Sequence, residues 1–219
     1  MELRRFATIS VLVMWCVSLI AFRVHRTGTD NYVFLIWNLF LAGIPFLLST
    51  VFRWLNRPDT GTLPQMLCFV FWLLFLPNAP YILTDLLHLQ SPTTAPAWYD
   101  VAILVSCAGT GLLLGHLSLI DMQQAIAAKF GVTCGWLLAI STLALSGFAI
   151  FLGRFLRWNS WDIVVSPGKL LQIAAALNHP WSHTRALGVT FIFGFSLMLG
   201  YVAIRLLLTP AASHFGERR

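Results

Sequence analysis

The sequence predicts an all-α, polytopic membrane bundle of about six transmembrane helices, and three observations carry that prediction. Of its 219 residues, 58% are hydrophobic and 10% are charged, against ~25% charged in an ordinary soluble domain. A soluble fold of this size could not hide so much apolar surface. The apolar residues fall into separate runs of about bilayer length. The arginines gather at the ends of those runs, where headgroups lie. We read one integral-membrane domain over 1–219, with spans near 6–22, 32–52, 63–83, 98–120, 132–152 and 187–208.

The first span follows Arg4 and Arg5 and closes at Arg23, His25 and Arg26. Its charged start resembles a signal peptide, but its apolar run is long and no small-x-small cleavage site follows, so it reads as an uncleaved span. The second carries Asn38 and Pro45. The third is broken. Its apolar stretch from Leu63 to Leu76, about 14 residues, covers about 21 Å of a roughly 30 Å hydrocarbon core before two prolines intervene. Pro77 and Pro80 each lack a backbone donor and clash with the preceding turn. The groups they free must find partners at membrane depth, and Asn78 is the nearest side chain able both to donate and to accept. Past the break, helical spacing puts Tyr81, Thr84, Asp85 and His88 on one side and Ile82, Leu83, Leu86, Leu87 and Leu89 on the other.

The fourth span contains Gly111-Leu112-Leu113-Leu114-Gly115, a spacing that admits a close neighbouring backbone. The fifth ends at Leu152. From Gly153 to Ala186 no run is long enough to span. Trp161, Ile163, Val164 and Leu170, interrupted by Ser166-Pro167-Gly168, predict short interfacial helices instead. Pro180 sits where a helix start accepts proline, ahead of the sixth span. Cys16, Cys68, Cys107 and Cys134 lie in apolar runs without a C-x-x-C pair and read as small packing residues.

The string Pro77-Asn78-Ala79-Pro80-Tyr81-Ile82-Leu83-Thr84-Asp85-Leu86-Leu87-His88-Leu89 resembles the signature of a bacterial integral-membrane family known only as a domain of unknown function. Asn38 to Ala42 with Pro45, Trp98-Tyr99-Asp100, Gly115 with Ser118-Leu119, and Gly153 to Asp162 resemble it too. The resemblance runs from about Asn38 to Pro167. It implies a multi-helix membrane protein and no known activity.

Chemistry must therefore be sought in the polar residues. The loops after the third and fifth spans share one side of the membrane. That places Asp85, His88 and Asp100 on one face with Arg154, Arg157, Asn159 and Asp162. Arg4, Arg5, Arg53, Arg57, Lys129, Arg205, Arg218 and Arg219 fall on the side of the termini, more than on the other side. The positive-inside rule then makes the termini cytoplasmic, the cluster outer, and the location the bacterial inner membrane. Asp85 and His88 are the candidate acid–base residues. Asn78, Tyr81, Thr84, Asp100, Arg154, Arg157, Asn159 and Asp162 are the candidate ligand-binding residues. Arginine's planar fork suits an anionic headgroup or a phosphorylated ligand. The same arginines also suit a helix C-terminus or lipid phosphate, Asp85 suits an ion pair, and Asp162 a helix cap. One histidine with scattered carboxylates is not a metal pattern, so no metal and no cofactor is assigned. His116, inside the fourth span, reads as hydrogen-bonded structure more readily than as a proton relay.

No phosphate loop, H-E-x-x-H or G-x-S-x-G occurs, and no contiguous solvated basic patch suggests nucleic acid. Three classes remain. One is an enzyme acting on lipid-linked or phosphorylated substrate. Another is a small-solute transporter using the broken third helix, for which a homo-oligomer would compensate the small size. The last is an accessory protein whose polar network only locks the fold. Membrane lipids are partners in all three.

Overall fold

The computed structural model describes residues 2–57, 60–90, 95–155, 168 and 184–208. The predicted interfacial helices between the fifth and sixth spans lie outside the described residues. Within them every regular element is a helix: α1 (Glu2–Thr27), α2 (Phe34–Leu55), α3 (Thr62–Phe75), α4 (Asn78–Tyr81), a 3-10 helix (Ile82–Gln90), α5 (Ala97–Phe130), α6 (Val132–Phe155) and α7 (Thr184–Leu208). Six segments among the described residues are long and apolar enough to cross a membrane, with α3, α4 and the 3-10 helix together making one, Thr62–Leu89. The chain is a multi-pass membrane protein.

Helix α5 is the spine. At 34 residues it is about 51 Å long, and it packs against every other long segment of the bundle. The sequence reading stops this span near Ile120 because Asp121 and Gln123 end the apolar run. Both side chains are in fact buried with partners, so the helix continues to Phe130. Arg5 Nη1 donates to Asp121 Oδ1 at 3.0 Å, and Arg53 Nη1 reaches the same oxygen at 3.3 Å. Gln123 Oε1 accepts from Tyr201 and Arg205 of α7.

The broken segment lies directly on α5, and glycine makes that possible. A Cβ at Gly111 would fall 2.6 Å from Ile82 Cγ2 and 3.0 Å from the Ala79 carbonyl oxygen. One at Gly115 would meet Ala79 Cβ at 2.9 Å. The close approach anticipated from the Gly111–Gly115 spacing is therefore to the proline break itself. Helices α6 and α7 cross as tightly, since a Cβ at Gly147 would sit 2.6 Å from the Thr190 carbonyl oxygen. Trp72 ties three helices together: its Nε1 donates to Ser118 Oγ at 2.7 Å, and Ser118 donates to the Pro45 carbonyl at 2.8 Å. His116 bridges in the same way, with Nδ1 2.7 Å from the Leu112 carbonyl and Nε2 3.1 Å from that of Leu197. This is the structural role expected of it.

Candidate functional site

At Pro77 and Pro80 only a turn at Leu76 and Pro77 separates α3 from α4, and the backbone stays hydrogen-bonded across it. The Leu76 amide still reaches the Trp72 carbonyl, Ala79 bonds back to Leu76 in a three-residue step, and Tyr81 bonds to the Pro77 carbonyl. Asn78 Nδ2 donates to the Phe75 carbonyl at 3.0 Å. The side chain beside the prolines thus repairs the turn that they disturb.

Beyond Tyr81 the chain tightens into nine residues of 3-10 helix, well past the usual three or four. Three residues per turn changes the faces. Side chains at i and i+3 eclipse, so Ile82, Asp85 and His88 align in one column. Tyr81 and Thr84 fall in another, apart from the Asp85 column that α-helical spacing suggests they share. Thr84 spends its hydroxyl on the Tyr81 carbonyl at 2.8 Å.

Asp85 is only 3% exposed, and its Oδ2 accepts a 2.7 Å hydrogen bond from Asn38 Nδ2 of α2. Its own column ends in His88, whose ring stands 5.1 Å from Phe34. Arg154, in the last turn of α6, acts on the Asp85 carboxylate through space, as does His88. Among the described residues, no ion pair within 4.0 Å joins Asp85 to Arg154. The direct contact is with the amide of Asn38, a residue marked in the sequence only by being polar inside an apolar span.

Asp100 belongs to a different contact. It is 2% exposed and faces Arg23, 1% exposed, at the end of α1. Arg23 Nε donates to Asp100 Oδ1 at 2.6 Å and Nη2 to Oδ2 at 3.5 Å, while Nη1 donates to Thr29 Oγ1 at 3.0 Å. The guanidinium also lies 4.6 Å from the Tyr32 ring centre, a cation–π contact. Burial, and then the Asp100 carboxylate, push the Tyr32 phenol above its usual range, so it stays neutral under its cation. Rings continue from Tyr32 to Phe34 at 6.4 Å and on to His88. The ion pair and the Asp85 column are therefore neighbours at one end of the bundle.

Of the sequence-predicted residues, His88 shares the column of Asp85, Arg154 lies within electrostatic range of that carboxylate without touching it, and Asp100 is adjacent in its own pair. It places Asn78 and Thr84 on backbone carbonyls. Arg157, Asn159 and Asp162 lie outside the described residues. Sequence reasoning missed Arg23, read as a span end, and the opposite-face pair of Asp121 with Arg5 and Arg53. No group of three or more metal-ligating residues occurs among the described residues.

The family model described as "Protein of unknown function (DUF1361)" matches residues 37–199, well over half of the chain. No curated protein and no solved structure matches it. The chain belongs to the DUF1361 family.

Proposed function

We propose that this DUF1361 member binds an anionic lipid headgroup or a phosphorylated substrate at the cluster of Asn38, Asp85, His88 and Arg154. One observation supports this most: Asp85 is buried at the membrane boundary, yet its direct partner is a neutral amide while the nearby cation stands off. A carboxylate and an arginine that served only to lock the fold would gain most by touching. Kept apart, they suit a ligand that sits between them. Arg154, with Arg157 three residues on, holds phosphate with its planar fork. Asp85 accepts from a hydroxyl of the ligand or takes its proton, and His88, eclipsed one turn away, is the second acid–base group. In this reading the cluster faces outward from a bacterial inner membrane and the termini are cytoplasmic.

Transport is less well supported, because the broken helix recaptures its backbone groups instead of offering them to a solute. The accessory reading draws on the buried ion pairs at both ends of α5. The two surviving readings separate on Asp85→Asn and Arg154→Gln in the purified full chain, with glycerol phosphate as a soluble probe in thermal-shift titration. A binding site predicts that Asp85→Asn melts at or above wild type and that Arg154→Gln weakens the probe at least about tenfold. A lower melting point for Asp85→Asn, with no probe response in wild type, would establish the fold-locking role.

A further inference from the structure

The opposite end of the bundle holds a second feature, independent of the Asp85 cluster. A cavity of about 200 Å³ opens between the end of α2, the start of α3 and the end of α5. Its walls are Phe52, Phe69, Ala125 and Ile126, and Met66 and Phe130, both more than half exposed, flank its mouth. An apolar cavity of ~150 Å³ stays dry and takes up hydrocarbon, so a pocket of this size and lining favours an acyl segment over water. Its rim is polar and basic. Gln65 Nε2 caps the end of α2 through the Leu55 carbonyl at 3.0 Å, and its Oε1 receives Lys129 Nζ at 3.3 Å. Lys129 is thus fixed at the edge of the pocket, with ammonium donors beyond the one that Gln65 takes. Arg53 in the last turn of α2 and Arg57 just past its cap lie at the same end of the bundle.

From this geometry we infer that the pocket between α2, α3 and α5 binds one anionic phospholipid. An acyl chain lies against Phe52, Phe69 and Ile126, and the headgroup phosphate meets Lys129. The charge complementarity at the rim sets the preference for an anionic lipid, and the apolar wall sets the depth. A zwitterionic lipid can fill the wall but adds a choline cation beside Lys129.

Native mass spectrometry of the full chain in detergent tests this, with phosphatidylglycerol and phosphatidylcholine of identical acyl chains. The expected result is one retained phosphatidylglycerol, preferred about fivefold, the effect of one cation beside a charged headgroup. Lys129→Gln, at an exposed side chain, should bring the two lipids level. Ala125→Phe, which fills the cavity, should lower retention of both. All of these are measured on an Arg154→Gln background, which removes the cation of the Asp85 cluster, so failure here is distinct from failure of the Asp85 site. On that background, equal retention of the two lipids with Lys129 intact, or a preference that survives Lys129→Gln, overturns the assignment.

Discussion

Arg23 and Asp100 close an ion pair that is almost wholly withdrawn from solvent, joining α1 near its C-terminal end to the first turn of α5 with Nε 2.6 Å from Oδ1. Two charges in such a place are stable only together. Arg23→Met should lower stability by about 3 kcal/mol, because it removes the cation that balances a buried carboxylate. Arg23→Met with Asp100→Leu should regain most of that loss. Equilibrium unfolding in mixed detergent and denaturant measures both, and a double variant no better than the single would refute the coupling.

The proline break is fitted to α5 through glycine. Gly111→Ala should destabilise by about 1–3 kcal/mol, since its new Cβ meets Ile82 and the Ala79 carbonyl. Gly109→Ala, whose Cβ meets nothing within 4 Å, should be neutral or slightly stabilising from helix propensity. Equal melting shifts for the two would count against direct packing of the break on α5.

Asn78→Leu removes the amide that meets the Phe75 carbonyl. We expect a loss of about 1–3 kcal/mol, the cost of a buried polar group left without that partner. Asn78→Asp cannot donate when ionised and should fare no better. A variant that melts like wild type would show that the prolines need no side-chain repair.

Six crossings put Ala95 and Thr184 at one end of the bundle and Gly61 and Thr133 at the other. Single cysteines at these positions, on a background lacking the native four, should label from opposite sides in those pairs. Labelling of Ala95→Cys and Thr184→Cys from different sides would refute the six-span arrangement. In the proposed orientation, the Ala95 and Thr184 positions should label from outside.

The helical class and the broken third span were legible because run length and proline act locally. Gly111 and Gly115 announced a close approach, but which backbone came close depended on the register of a distant segment. The length of α5 was hidden for a related reason. Asp121 ends the apolar run, and only Arg5 and Arg53, far off in sequence, let the helix carry that carboxylate buried and run on to Phe130. Partner choice was the least legible. Asp85 and Asp100 are equally carboxylates near one face, and only the rotation of α1 and α2 about their axes gives one Arg23 and the other Asn38. The change from 3.6 to three residues per turn after Tyr81 likewise redrew a face that α-helical spacing had assembled.

Helix α1 runs antiparallel to α5 and is fastened to it by charge at both ends, Arg5 to Asp121 and Arg23 to Asp100. On α5 those two carboxylates stand roughly six turns apart, about 31 Å, close to the ~30 Å hydrocarbon thickness of a typical bilayer. The pairs therefore act as a gauge. In a membrane of that depth each sits at a headgroup boundary, where its polar atoms remain in a tolerant medium. A markedly thicker bilayer would draw one pair into hydrocarbon unless the lipid thinned around the protein, and a thinner one would tilt the bundle, each at a modest cost per ångström. The protein should accordingly be most stable in vesicles whose acyl chains match that spacing, and lose stability as the chains are lengthened or shortened.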